Sequence, residues 1–137
     1  MATITANLAL SNDTASSSVS VTQLMNLYKA GGTEGMDTMT SVSKILTSTD
    51  HVDLITAASV SGSHHYVYIS NPSTVASEYF NVGIGNAGGG TPTDTEEIGR
   101  LYGGDWMFIP WTAAADEDIC VKPSVATKMV VEYIVFS

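Results

Sequence analysis

The sequence has little charge of any kind and very little positive charge. Charged residues make up 14% of the 137 residues, with five Lys or Arg against 14 Asp or Glu, for a net charge of -9. The five basic residues are scattered along the chain, whereas nucleic-acid binding needs clustered Lys and Arg to neutralise phosphates. Anionic lipid also repels a strongly acidic protein. We therefore expect neither a nucleic-acid partner nor a membrane partner.

Cysteine and long apolar runs are also scarce. Cys120 is the only cysteine, so no disulfide within the chain can stabilise the fold. The first residues, MATITANLAL, lack the basic start and the apolar run of a signal peptide. No stretch approaches the ~20 apolar residues of a membrane helix. These features predict a soluble protein that is made in the cytoplasm.

Helical periodicity is nearly absent, whereas strand patterns are frequent. Residues 22–30 could form one short helix, although the alternating Val and Ser residues before them favour a strand that begins at residue 18. Elsewhere, segments rich in Thr, Val, Ile and aromatic residues end at turn signals, as HHYVYIS does at Asn71-Pro72-Ser73. The pair Gly103-Gly104 predicts a hairpin turn between the segments on either side of it.

The spacing of these segments predicts an all-β fold. We expect an antiparallel, jelly-roll-like β-sandwich of about eight short strands, with at most one short helix. Residues 1–17 are predicted to form an N-terminal arm, possibly extended, and residues 18–137 a single domain. A chain of this length can bury a real core without covalent support.

The last segment, KMVVEYIVF, is apolar on both of its predicted faces. One face would carry Met129, Val131, Tyr133 and Val135, and the other Val130, Ile134 and Phe136, with Glu132 as its only polar residue. A two-layer domain buries only one face of each sheet. The second apolar face therefore predicts contact with another subunit, or cover by the protein's own N-terminal arm.

The segment DWMFIPW holds both tryptophans of the chain. In a regular strand Trp106 and Trp111 point to opposite faces, so one would enter the core and the other a subunit contact. Pro110 lacks an N–H and predicts an edge strand, a strand end or a bulge. A sugar-stacking platform is the alternative interpretation, but the opposite directions of the two indoles weaken it.

Catalytic and metal-binding patterns are weak. His64 and His65 would point to opposite faces of a strand, so they cannot both bind one ion, and a site that adds His51 and Asp53 is not required by any spacing. Cys120 lies between apolar neighbours, as a packing residue does. We predict a non-enzymatic protein with no catalytic residue, no cofactor and no metal. A cupin-like metalloenzyme that uses these histidines is the rival hypothesis.

The order of motifs in residues 64–137 resembles small β-rich structural proteins of tailed-bacteriophage virions, of the marine and cyanobacterial type. The motifs that carry the resemblance are YVYISNPS, YFNVGIG, RLYGGDWMFIPW, DICVKPSVAT and MVVEYIVFS. The resemblance implies a capsid decoration (cement) protein: a β-sandwich, homotrimeric, synthesised in the host cytoplasm, that binds the major capsid protein at the surface of the virion.

This resemblance and the two-sided strands together predict an interface with other subunits or with the capsid. The residues expected there are Tyr102, Trp106, Met107, Ile109, Trp111, Tyr133 and Val135. The alternative function is a carbohydrate- or receptor-binding β-sandwich module of a phage tail or fibre.

Overall fold

The computed structural model describes residues 3–12, 20–85 and 96–137, and most of these residues lie in strands. The chain divides into two compact units, Met1–Thr38 and Met39–Ser137. The first unit contains strands β1 (Thr5–Ser11) and β2 (Ser20–Asn26). The second unit contains the other eight strands.

Strands β1 and β2 form an antiparallel ribbon whose register runs from Thr5–Asn26 to Ser11–Ser20. Past the ribbon, the Leu27 N–H donates to the carbonyl of Ile4 over 2.9 Å. These bonds between separate segments hold residues 20–26 extended, so the alternative of a helix at 22–30 is wrong. Of the predicted N-terminal arm, residues 1–2 and 13–17 lie outside the described residues.

The boundary predicted between residues 17 and 18 needs a correction. It would separate β1 from β2, which pair along their whole length. Because each strand supplies the hydrogen-bond partners of the other, residues 18–38 belong with the N-terminal unit, and the chain divides after Thr38.

The second unit is a β-sandwich of two four-stranded antiparallel sheets. The first sheet has the order β3-β10-β5-β8 and the second the order β4-β9-β6-β7. The strands are β3 (Met39–Leu46), β4 (Val52–Ile55), β5 (His64–Ser70), β6 (Tyr79–Gly85), β7 (Glu96–Tyr102), β8 (Trp106–Thr112), β9 (Asp118–Pro123) and β10 (Met129–Phe136), with a 3₁₀ turn at Ala57–Ser59. This strand order is that of a jelly roll, in which the chain passes repeatedly from one sheet to the other. The predicted fold class is confirmed.

The core lies between the two sheets and is apolar. Val67, Ile69 and Val131 of the first sheet, with Phe80 and Val121 of the second, have no exposed surface. Strand alternation places every second residue in this layer and the residues between them on the outer face of their sheet.

The sequence RLYGGDW is not a hairpin, contrary to the prediction. Strand β7 pairs with β6 in the second sheet, whereas β8 pairs with β5 in the first, so the double glycine joins the two sheets. Gly104 has a φ of +90°, which favours glycine. The Asp105 N–H donates to the Tyr102 carbonyl over 2.8 Å and closes the turn.

Gly103 has a different role, because it lies against the backbone of the preceding loop. A Cβ atom at Gly103 would lie 2.5 Å from the carbonyl oxygen of Val75 and 2.8 Å from that of Ser73. We expect Gly103→Ala to lower the free energy of unfolding by about 1–3 kcal/mol through overpacking. Gly99→Ala is the matched control, since its Cβ would meet no atom within 4 Å. Urea denaturation of both variants checks this prediction, and equal midpoints would contradict it.

Candidate interaction surface

The outer face of the first sheet is apolar and rich in aromatic side chains. We call this surface the aromatic face and define it by six residues of β5, β8 and β10: Tyr66, Tyr68, Trp106, Phe108, Ile134 and Phe136. The register places Ile134 beside Tyr68 and Tyr68 beside Phe108, in one row across the three strands. These residues point outward because their neighbours along each strand enter the core.

The rings of the aromatic face contact one another across the strands. Tyr66 stacks on Phe108, with ring centroids 5.5 Å apart and planes 8° from parallel. Phe108 meets the edge of Phe136 at 6.0 Å. Tyr68 and Trp106 are 6.0 Å apart and tilted by 31°. Such cross-strand aromatic pairs stabilise a sheet, and here they also form a continuous patch of ring surface.

This patch is partly open to solvent and nearly uncharged. Trp106 is 52% exposed, and the other rings of the face are half-buried. Among the outward-facing residues of the four strands in this sheet, Glu132 is the only Asp, Glu, Lys or Arg, and His64 is the only histidine. A contiguous apolar patch of this kind is a candidate for contact with another protein.

The outer face of the second sheet differs, because it carries polar and charged groups. The Arg100 guanidinium lies 4.8 Å from the centroid of the Tyr79 ring. Lys122 and Asn81 line a small pocket with His51 and Glu97. The surplus of apolar surface thus belongs to one sheet, and this asymmetry identifies the first sheet as the candidate site.

The predicted interface residues fall into three groups. Trp106 and Tyr102 are exposed, but Tyr102 lies on β7 of the second sheet, where its ring contacts that of Tyr79 at 5.2 Å. Met107, Ile109 and Tyr133 are partly buried against the core, and burial raises the pKa of the Tyr133 phenol. Only Trp106 lies on the aromatic face.

The prediction of Trp111 and Val135 as interface residues needs correction, because both side chains are buried within the chain itself. Trp111 is 2% exposed, and its indole N–H donates to the carbonyl of Glu117 over 2.8 Å. Val135 belongs to the same core cluster. A side chain that fills the core of its own subunit cannot also cover a neighbour, so neither residue forms an interface.

The sequence analysis identified the two faces of β8 and β10, but several of the interface residues that it predicted lie on the inner face of these strands. It did not include Phe108, Ile134 and Phe136, which lie on the aromatic face. The signal was Glu132, because a carboxylate in the middle of a strand marks the face that stays outside the core. Pro110 was a second signal, in this case for the edge position of β8. It lies on β8, which is an edge strand as predicted, and the missing N–H there costs no bond within the sheet.

The histidines of the rival metal hypothesis lie apart. His64 lies on the outer side of β5 against Tyr66, at 5.0 Å between rings, whereas His65 is buried beside Trp111 at 5.6 Å. His51 belongs to the pocket on the second sheet. Within residues 3–12, 20–85 and 96–137, no three His, Cys, Asp or Glu side chains are arranged to hold a metal ion.

Cys120 is buried on β9, and its thiol lies 3.2 Å from the carbonyl of Gly85 and 3.3 Å from the Asp53 carboxylate. The predicted packing role agrees with this position. In the described part of the chain, no helix has the length and apolar character needed to cross a membrane.

His51, which lines the pocket on the second sheet, should make the stability of the protein depend on pH. Burial and the nearby Lys122 ammonium lower the pKa of His51 below its usual value of about 6.5, although Glu97 opposes them. The unfolded chain therefore binds this proton more readily than the folded chain. We expect stability to fall as the pH drops below about 6.5, and this loss to stop once the pH is below the folded-state pKa.

NMR titration of the imidazole checks the lowered pKa, and urea denaturation between pH 5 and 7.5 checks the slope. His51→Gln should remove this contribution, and Lys122→Gln should move the pKa of His51 back toward its ordinary value. A His51 that titrates at or above 6.5 in the folded protein would contradict the prediction.

Comparison with known proteins adds little. No protein-family model matches the chain, and no curated protein matches it. Among solved structures, the chain is similar to the Yersinia pseudotuberculosis-derived mitogen, with 12% sequence identity and a TM-score of 0.43, over 72% of this chain and 85% of the mitogen. At this level the similarity says nothing about function, and the fold assignment depends on the strand order given above.

Proposed function

We propose that this protein is a non-enzymatic structural protein of a bacteriophage virion: a capsid decoration (cement) protein that binds and stabilises the assembled shell. The observation that carries the proposal is the aromatic face, a nearly uncharged apolar surface on one side of a compact sandwich. The motifs of residues 64–137 support the virion role by resemblance. The jelly roll agrees with it by analogy only, because many viral capsid domains share this fold with lectins and cupins.

The mechanism would be adhesion through buried apolar area. Three strands spaced about 4.8 Å apart, over five residues each, give the aromatic face an area of about 240 Å². Burying that area yields about 6 kcal/mol, which is similar to the ~4–15 kcal/mol cost of association. One such contact is therefore weak. A homotrimer that presents several contacts to a symmetric shell gains the rest by avidity.

The charge of the chain supports a position on the outside of the shell. With a net charge of -9, the protein would be repelled by packaged DNA, whose phosphates carry one negative charge per ~1.7 Å of helix. The partner that we propose is the major capsid protein, at the virion surface.

Binding to shells that lack this protein tests the proposal. Purified protein should co-sediment with such shells, at a fixed copy number per capsid subunit, and raise the temperature at which they break open. Trp106→Glu should abolish binding, because it places a carboxylate in the apolar contact. Ile98→Glu is the matched control, since Ile98 is 48% exposed but lies on β7 of the second sheet. Wild-type protein that stays in the supernatant would overturn the proposal.

A carbohydrate- or receptor-binding module of a phage tail or fibre is the second candidate, and one observation favours it. Trp106 has an aromatic neighbour on its own face, Tyr68, at 6.0 Å, so a ring platform does not need the buried Trp111. A glycan array tests this function. Binding that is lost in Trp106→Ala would support it, and an array without hits would remove it.

A further inference from the structure

Glu132 places one negative charge at the border of the aromatic face. Its side chain is exposed on β10, and it pairs across the sheet with Ser43 on β3 and Ser70 on β5. Ser70 pairs in turn with Trp106 on β8, so Glu132 and Trp106 lie in the same row across the strands. The next outward residue along β10 is Ile134, a member of the aromatic face. Apolar side chains and small hydroxyls therefore surround the carboxylate.

Within the described residues, nothing neutralises this charge. The Glu132 carboxylate forms no ion pair and no hydrogen bond there. Lys44 is the only Lys or Arg in the four strands of this sheet, but it lies on the inner side of β3, where its ammonium donates to the Asp53 carbonyl over 3.2 Å. His64 is six residues from Ser70 along β5, or about 20 Å. The carboxylate is therefore left to solvent.

Shell binding through the aromatic face would bring this carboxylate into the contact. Neighbouring strands are about 4.8 Å apart, so the backbones of Glu132 and Trp106, two strands away, are separated by about 10 Å. Taking a carboxylate out of water is unfavourable unless a cation or hydrogen-bond donors replace the water. Because one aromatic face makes only a weak contact, burial of an unpaired Glu132 would cancel what the rings gain.

The surroundings of Glu132 suit a basic side chain. Ser43 and Ser70 are small, so they leave the carboxylate open to approach on both sides, and their hydroxyl oxygens can accept an N–H from a cation. Lys and Arg also have apolar stems. The half-exposed ring of Trp106 offers such a stem an apolar surface, and the face of an indole attracts the positive charge itself.

We infer that the shell surface that contacts the aromatic face presents a lysine or arginine to Glu132. This inference rests on the proposed function and names the chemistry of its partner: an apolar capsid surface with one basic side chain at its border. Apolar burial has no preferred direction, so the rings alone would allow the protein to rotate on the shell. One ion pair away from the centre of the contact fixes the orientation, and it disfavours apolar surfaces that lack the cation.

Glu132→Gln tests the inference through the sign of its effect. The substitution keeps the size of the side chain and removes the charge. If the shell presents a cation, that cation loses its partner, and we expect binding to shells that lack this protein to weaken about 30-fold or more. If the contact is apolar alone, binding should become tighter, because an amide is easier to dehydrate than a carboxylate. Co-sedimentation over a range of protein concentrations measures the change.

Glu97→Gln is the matched control. It removes the same charge from the outer face of the second sheet, where the carboxylate side chain is 52% exposed, and should leave shell binding unchanged. The affinity of the wild type should fall with rising salt, and that of Glu132→Gln should fall less. Since Glu132 is exposed in the free protein, urea denaturation should give both variants the midpoint of the wild type.

The outcomes separate the inference from the proposed function. Wild-type protein that stays in the supernatant would overturn the proposed function and the inference with it. Wild-type binding that Glu132→Gln leaves unchanged or tightens would overturn the inference alone. A loss that Glu97→Gln shares would also overturn it, because the charge would then act at long range rather than at Glu132.

Discussion

Trp111→Ala should lower the free energy of unfolding by about 3–5 kcal/mol, the usual range when a buried Trp or Phe is truncated. The indole fills the core between the sheets, and its N–H donates to the Glu117 carbonyl over 2.8 Å. Truncation therefore leaves a cavity beside His65 and a carbonyl without its donor. Against the ~5–15 kcal/mol total stability of a typical domain, this loss is large. Urea denaturation, followed by circular dichroism, measures it.

Trp106→Ala is the control, because it removes the same side chain from an exposed position. We expect a loss below about 1 kcal/mol, from the contact with Tyr68 alone. The order should be reversed for binding to other proteins, which we expect Trp106→Ala to weaken more than Trp111→Ala does. Equal destabilisation by the two substitutions would contradict the assignment of Trp111 to the core and Trp106 to the surface.

Asn71→Ala should lower the free energy of unfolding by about 2–4 kcal/mol. Asn71 is 1% exposed and directly follows β5. Its side-chain amide donates to the carbonyls of Glu78 and Leu101 over 3.2 and 3.1 Å, and its Oδ1 accepts from the Ser73 N–H. Removing the side chain leaves these groups without that partner, at ~1–3 kcal/mol for the buried Leu101 carbonyl and less for the two groups that are only partly buried.

The bond to Leu101 makes Asn71 a link between the two sheets, since β5 and β7 belong to different ones. Asn71→Asp should be at least as destabilising, because a carboxylate cannot donate and would carry charge into the interior. Asn26→Ala, at an exposed position, should change stability by less than about 0.5 kcal/mol. A measured loss below 1 kcal/mol for Asn71→Ala would show that water replaces the side chain.

The strands of the second unit could be predicted because each has a local pattern in its own sequence. Alternation marks β6, a run of β-branched and aromatic residues marks β10, and Asn71-Pro72-Ser73 marks the end of β5 by turn chemistry alone. Sheet partners leave no such local signal. The double glycine at 103–104 suits a hairpin turn, but here the chain crosses between the two sheets at this point. The need for glycine at position 103 comes from its contact with the loop at Ser73 and Val75, which the sequence does not reveal.

For a related reason, the two faces of the strands at the candidate site could be predicted, but not which of them is the outer face. Alternation divides β10 into two faces, yet apolar residues occupy both, so hydropathy cannot tell which one enters the core. Val135 and Ile134 are equivalent by that measure. The opposing sheet decides between them, and it is assembled from residues far away in the chain. The aromatic pairs are also invisible in sequence, because Phe108 meets Tyr66 only through the register of β5 with β8.

The central position of β10 has a consequence for folding during synthesis. This strand lies between β3 and β5, and its register joins Met129 to Leu46 and Phe136 to Met39. The ribosome must therefore release residues 129–136 before the first sheet can close, while β3 and β5 wait unpaired on that side. Such long-range pairing is slow, and the aromatic strands β5 and β8 are exposed to neighbouring nascent chains meanwhile. Chaperone capture of the unfinished chain should thus peak after β8 has emerged and end once β10 has.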